Sequence, residues 1–183
     1  QHSFLPDSAP SIPGWDVAAY YRAARMVGGD FYDFLPLPGG RWGLVVADVA
    51  DKGVASALYM ALSRTLLRAV ARNQDNPAAT LLRVNRLLRE DTRSDLFVTA
   101  WYGILHPADG TVYCSSAGHN PPLVIKHGGQ ETQFLKTKGI ALGVLDDIKL
   151  TALKVQLEPG DVLVLYTDGV TEAHDSNGVE FDL

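Results

Sequence analysis

A chain of 183 residues, 46% hydrophobic and 20% charged, is long enough for one domain with a real core. It is too short for two ordinary domains and too apolar to be disordered over most of its length. A formal net charge of −5 without any run of Lys or Arg excludes the electrostatic basis for a nucleic-acid groove or contact with an anionic membrane, and suits a divalent cation instead.

Residues 1–14 carry three prolines and no hydrophobic period, which reads as a linker, so the domain is expected over residues 15–183. Residues 15–22 and 42–48 are β-branched, aromatic or aliphatic and bounded by Gly or Pro, the pattern of strands. After Gly53 the apolar residues Val54, Leu58, Ala61, Leu62, Thr65, Leu66 and Ala69 recur at three- and four-residue spacing, with Arg64, Arg68 and Arg72 off the stripe, predicting a helix of about five turns. Asn76 as N-cap and Pro77 at the first helical position announce a second helix with Leu81, Val84 and Leu88 on one face. Strand patterns return at residues 97–105 and 111–116 around an Asp109-Gly110 turn, at 123–126 and 132–135, and at 153–157 and 162–166. Strands, then a helix pair, then strands favour an α+β fold of antiparallel sheets with the helices on an outer face.

The lone cysteine, Cys114, allows neither an internal disulfide nor a cysteine metal cluster, and points to inert core and a reducing, cytoplasmic setting. No run of about 18 to 20 apolar residues marks a membrane span, and no basic-then-apolar leader opens the chain. Because the chain opens on Gln1 and ends at Leu183 with no stop signal, it reads as a piece of a larger parent.

P-loop, zincin, paired C-x-x-C and G-x-S-x-G signatures are missing. What remains is a set of aspartates at strand ends. Asp30 follows Gly28-Gly29, Asp48 ends Leu44-Val45-Val46-Ala47, and Asp168 ends an apolar run and precedes Gly169. A carboxylate at the end of an apolar strand is costly to bury alone. Three that meet would give the hard-oxygen, partly hydrated site that Mg2+ or Mn2+ prefers.

Five ordered blocks carry a resemblance: Val27-Gly28-Gly29-Asp30-Phe31-Tyr32-Asp33, Ala47-Asp48-Val49-Ala50-Asp51-Lys52-Gly53, Ser116-Ala117-Gly118-His119-Asn120-Pro121-Pro122, Gly139-Ile140-Ala141-Leu142-Gly143, and Tyr166-Thr167-Asp168-Gly169-Val170-Thr171-Glu172-Ala173. Together they resemble the sporulation stage II E and sigma-B-regulator (SpoIIE/RsbU-like) branch of the PPM-type metal-dependent protein serine/threonine phosphatases, relatives of protein phosphatase type 2C. The resemblance implies a β-sandwich flanked by helices and two Mn2+ or Mg2+ ions in an aspartate-lined cleft. Asp30, Asp48 and Asp168 would be metal ligands acting on substrate through a metal-activated water. Val49, which stands where relatives often have Gly, would offer its backbone carbonyl to a metal. The resemblance further implies a phosphorylated anti-sigma-factor antagonist as partner, an upstream sensor in the parent chain, and a possible homodimer.

Relatives carry a further aspartate, in an Asp-Asp block, beyond the last of these motifs. The tail residues Asp175, Glu180 and Asp182 do not match it, so the domain reads as C-terminally truncated with its second metal site one ligand short. No arginine matches the phosphate-holding one of eukaryotic relatives; Arg22 and Arg25 are only nearby.

His119 is read as hydrogen-bonding loop backbone rather than as a general acid, and His106, His127 and His174 as solvated. Asp33 is open between a water-mediated metal contact and a turn cap. Asp51 and Lys52 are read as helix-start electrostatics. The arginines at 64, 68, 72, 83, 86 and 89 are taken as a wet face, with a regulatory surface as the alternative. Gly-Gly-Asp also prompts a diguanylate cyclase, which Phe31 after Asp30 and the early helix pair exclude. The functional expectation is a phosphoserine/phosphothreonine phosphatase; the alternative is a non-catalytic or activation-dependent module binding the same partner.

Overall fold

The computed structural model describes residues 4–22, 28–91, 95–129, 131–174 and 181. In chain order it contains β1 (Phe31–Leu37), β2 (Arg41–Val49), α1 (Val54–Ala71), α2 (Pro77–Asp91), β3 (Val98–His106), β4 (Thr111–Ala117), β5 (Leu123–Ile125), β6 (Thr132–Phe134), β7 (Leu153–Gln156), β8 (Val162–Val164) and the single-turn helix α3 (Asp168–Thr171). All ladders are antiparallel and form two sheets, ordered β1-β2-β3-β4-β7 and β6-β5-β8.

The period of two along the central strands separates two cores. Val98, Ala100, Tyr102 and Ile104 of β3 join Phe31, Leu35, Val45 and Ala47 and the buried faces of α1 and α2 in one cluster. Trp101 and Leu105, on the opposite face of β3, join Val112 and Cys114 of β4 and Val124 of β5 between the sheets. The expected sandwich with a helix pair on its outer face is therefore present. Cys114 is fully buried, and burial pushes its thiol up to about 12, which leaves it unreactive.

The second helix follows its sequence signals: Asn76 Oδ1 accepts from the Ala79 amide at 3.1 Å, and Leu81, Val84 and Leu88 are buried. The first helix has the expected span but a different inner face. Ser56, Tyr59, Met60, Ser63, Leu67 and Ala71 are buried, while Val54 and Leu58 are 72% and 68% exposed. Small serines let the helix approach the sheet closely, and a count of apolar residues alone does not register them. By length and hydropathy α1 also passes for a membrane span, yet its inner face is committed to the sheet.

Arg64 is not on a wet face. Its side chain is 11% exposed, with Nε 3.0 Å from Oδ2 of Asp33, which is 2% exposed. The N–H is off the line to that oxygen, so the contact is an ion pair rather than an aligned hydrogen bond. Arg68 adds a second guanidinium at 3.5 Å, and Asp33 Oδ1 accepts from the Phe34 amide at 2.9 Å. Burial pushes the Asp33 carboxyl up, against the opposing pull of Arg64, Arg68 and the Phe34 amide. Asp33 thus pins α1 to β1 and faces away from the sandwich interior.

Two further readings are corrected. The segment taken as a linker packs onto the domain, with Leu5 and Ile12 buried and the Tyr32 hydroxyl donating to the Pro6 carbonyl at 3.3 Å. Residues 15–22 join no ladder beyond an isolated bridge from Ile12 to Trp15, and Trp15 Nε1 donates instead to the Pro107 carbonyl.

The 158–161 connection carries the chain from β7 in one sheet to β8 in the other. Asp161 ties it to the β5–β6 turn, accepting from Lys126 Nζ at 2.7 Å and from the Glu158 and His127 amides at 3.0 Å. The Lys126 ammonium, then these amides, hold the Asp161 carboxyl down to about 2.

Removing the charge of Asp33 strands Arg64 without a counterion. Asp33→Asn is expected to cost about 3 kcal/mol in denaturant unfolding, and the double variant D33N/R64M to recover most of that loss. Additive losses in the double variant would contradict the ion pair as the tie between β1 and α1.

Candidate metal centre

The β1–β2 register pairs Phe31 with Ala47, so one step further along the same ladder Asp30 comes opposite Asp48. Both lie on the face of the sheet that looks into the sandwich, at its open end. Gly29 sets this approach. A Cβ on residue 29 would lie 2.5 Å from the Val49 carbonyl oxygen and 2.6 Å from Ser56 Oγ, so only glycine lets the two segments touch. The Val49 amide donates to the Gly29 carbonyl, and the Val49 side chain is buried in the helix-side core. Valine therefore fits here with its carbonyl against Gly29.

Set opposite each other, the two carboxyls are close enough that Asp30 favours the protonated form of Asp48. Burial first, then the Asp30 hydrogen bond and the charges of Asp30, Asp168 and Glu172, push the Asp48 carboxyl up to about 8. Asp168 begins α3, and its carbonyl accepts from the Glu172 amide at 2.7 Å and from Thr171 Oγ1 at 3.1 Å. The preceding Thr167 donates from Oγ1 to Asp30 Oδ2 at 2.8 Å, tying the end of β8 to the start of β1.

The structure therefore brings Asp30 and Asp48 into contact and sets Asp168 near enough to act on them through its charge. Among the described residues, no group of three His, Cys, Asp or Glu side chains converges to enclose an ion. The donor set still fits a hard divalent cation: all donors are oxygens, and burial followed by their mutual repulsion raises Asp48.

His119 does hydrogen-bond loop backbone, as expected, through Nε2 to the Tyr166 carbonyl at 3.1 Å; its Nδ1 meets Thr99 Oγ1 at 2.9 Å. Burial pushes its imidazole down to about 4, so it is neutral at physiological pH. His106 is not simply solvated, because its ring packs edge-on against Tyr113. Arg22 is exposed; Val27, Arg25, Asp175, Glu180 and Asp182 lie outside the described residues.

Thr99, Thr167 and Glu172 were not singled out from sequence. Glu172 alone had a local signal, four residues after Asp168, which places the two on one side of a helical turn.

The raised Asp48 carboxyl gives a signed pH dependence. Folded Asp48 holds its proton up to about pH 8 against an ordinary value of 3.8, so this contribution to stability is present at lower pH and lost as pH rises through about 8. His119, depressed from 6.5 to about 4, gives the opposite slope between those two values. Above about 6.5 the Asp48 contribution stands clear of it. In chelator-treated protein, unfolding free energy is expected to fall between pH 6.5 and 8 in the native sequence and to stay level over that interval in Asp48→Asn. A native-sequence profile that is level or rising there would contradict the raised Asp48 carboxyl.

Comparison with known proteins gives the family and the fold. Residues 38–183 match the family described as Stage II sporulation protein E (SpoIIE). The chain is 32% identical to Protein IcfG of Synechocystis sp. (strain ATCC 27184 / PCC 6803 / Kazusa) over 94% of its own length and 31% of that protein. It is 28% identical to Phosphoserine phosphatase RsbU of Bacillus subtilis (strain 168) over 97% of its length and 53% of that protein. It thus spans about a third to a half of these relatives. The SiaA-PP2C domain of Pseudomonas aeruginosa superposes with a TM-score of 0.73 at 26% identity, covering 85% of this chain and 62% of that one, and the fold is that of a PP2C phosphatase domain. On the family match over most of its length, the chain belongs to the SpoIIE family of PP2C-type proteins.

Proposed function

We propose that this domain hydrolyses phosphoserine or phosphothreonine on a partner protein, the partner being a phosphorylated anti-sigma-factor antagonist. The observation that carries the reading is the Asp30–Asp48 pair, a buried Asp48 carboxyl set opposite Asp30 with the charges of Asp168 and Glu172 acting on it. A divalent cation relieves that repulsion, and the same cation is what phosphoryl transfer to water requires. Asp30, Asp48, Asp168 and the Val49 carbonyl would hold Mn2+ or Mg2+, two ions in the whole site. Bound there, the metal supplies Lewis acidity toward phosphoryl oxygens and a water of lowered pKa.

The protein's own residues do the rest. Asp48, whose carboxyl is pushed up by burial and its acidic neighbours, would have to give up its proton for a cation to bind. Thr167 keeps the Asp30 carboxylate oriented. His119, neutral and fully engaged through both ring nitrogens, holds backbone rather than shuttling protons. The substrate class rests on the resemblance in sequence and on a relative named as a phosphoserine phosphatase. A cytoplasmic setting is proposed on the buried, unreactive Cys114.

The incomplete convergence of acidic side chains among the described residues supports a second reading, a module whose metal site closes only on activation within the parent protein, where an upstream sensor and a second copy of the chain would act. The two readings part on turnover. Manganese-dependent hydrolysis of para-nitrophenyl phosphate, assayed on this chain and on its parent protein, is expected in at least the parent. Asp48→Asn should lower it by about a thousandfold or more, the scale of losing a group that stabilises transition-state charge. Turnover in the parent alone would favour activation. No turnover in either, with manganese present, would remove the enzyme reading.

A further inference from the structure

His119 is buried, 8% exposed, and every polar group it carries is engaged. Its amide donates to Ser116 Oγ at 3.0 Å, and that hydroxyl donates back to the His119 carbonyl at 3.2 Å. The preceding Gly118 has a φ of 71°, and a Cβ there would lie 3.0 Å from the Ala141 amide nitrogen, so the turn that presents His119 is fixed from both sides.

The ring's two contacts determine its tautomer. The Tyr166 carbonyl accepts only, so Nε2 carries the proton and Nδ1 is the acceptor. The Thr99 hydroxyl then donates to Nδ1 at 2.9 Å in preference to the Asp48 carbonyl at 3.4 Å.

These contacts close a ring. Asp48 is paired with Thr99 in the β2–β3 register; Thr99 donates to His119; His119 donates to Tyr166; Thr167, next in sequence, donates to Asp30; and Asp30 lies opposite Asp48 one step beyond the β1–β2 ladder. Three members come from the five-stranded sheet and its edge, and two from the segment leaving β8 in the other sheet. His119 spans the opening at one point and Thr167 at another.

We propose that His119, in its Nε2–H form, is a positioning residue that sets the distance of the Asp168 segment from the Asp30–Asp48 pair. The inference deepens the metal-site reading and rests on it only for its binding arm. Its ring need not touch substrate or metal. It fixes the backbone one residue before Thr167 and two before Asp168, as the outer hydrogen bonds of a metal centre fix the ligands inside.

The test uses the full chain and two readouts, only one of which needs metal. In the metal-free protein, the amides of Val170 and Glu172, bonded to the Thr167 and Asp168 carbonyls, report the anchoring of this segment. Their hydrogen exchange should quicken about tenfold or more in His119→Ala, relative to amides of β2 and β3. His119→Gln, whose amide nitrogen can still donate to Tyr166, should restore it. With Mn2+ followed by calorimetry, the dissociation constant should rise about 10-fold or more in His119→Ala and return to within about threefold of the native value in His119→Gln. Should His119→Ala fail to fold, Thr167→Val breaks the ring at its other end and is expected to give the same rise.

Unchanged Val170 and Glu172 exchange in His119→Ala would overturn the proposal. So would a Gln variant as impaired as the Ala variant, because the ring would then act by filling space. Absence of Mn2+ binding by the native chain would instead sink the metal-site reading, with the exchange arm still deciding whether His119 positions the 166–172 segment.

Discussion

Repulsion between two carboxylates organises this molecule's functional end. Asp30 and Asp48 are driven together by an antiparallel ladder whose register puts them opposite each other, and by a glycine at 29 that leaves no space for a side chain against Val49. Neither charge has a basic partner among the causes that shift Asp48; every one of them raises its pKa. The pair is tolerable with a proton between the carboxylates or with a cation beside them. The fold keeps it because the rest of the sandwich fixes both strands.

The same two-residue alternation explains why the neighbouring aspartate has another task. Asp30 and Asp33 lie three residues apart on β1 and so face opposite sides of the sheet. Asp30 looks into the opening between the sheets, whereas Asp33 is buried under α1 with Arg64 and Arg68. Residues 30–33 thus carry the candidate metal-site carboxylate on one face and the ion pair that pins the helical layer on the other. The second sheet reaches the site through the segment after β8, whose placement depends on Asp161 at the start of that strand and on His119 and Thr167 at its end.

Local chemistry was legible where it is self-contained. The Asn76-Pro77 helix start, the Asp109-Gly110 hairpin and the aspartates ending apolar strands each follow from a few adjacent residues. What escaped depends on contacts far apart in the chain. The inner face of α1 contains Ser56, Ser63 and Arg64, which no apolar count selects, because the sheet beneath offers a glycine at 29 and a buried carboxylate at 33. Leu5 and Ile12 look like parts of a proline-rich linker until the core they cover exists. Thr99 and Thr167 gain meaning only through partners 20 and 137 residues away. Asp30, Asp48 and Asp168 stood out individually, but that the first two touch while the third acts at longer range is a property of the assembled sandwich.

The central claim is that the Asp30–Asp48 pair is a divalent-cation site. Crystals of the chain soaked in Mn2+, with diffraction recorded at the manganese absorption edge, test it directly. The account predicts an anomalous peak coordinated by the Asp30 and Asp48 carboxylates, with Thr167 still bonded to Asp30. Manganese bound elsewhere, with none at these two carboxylates, would contradict it.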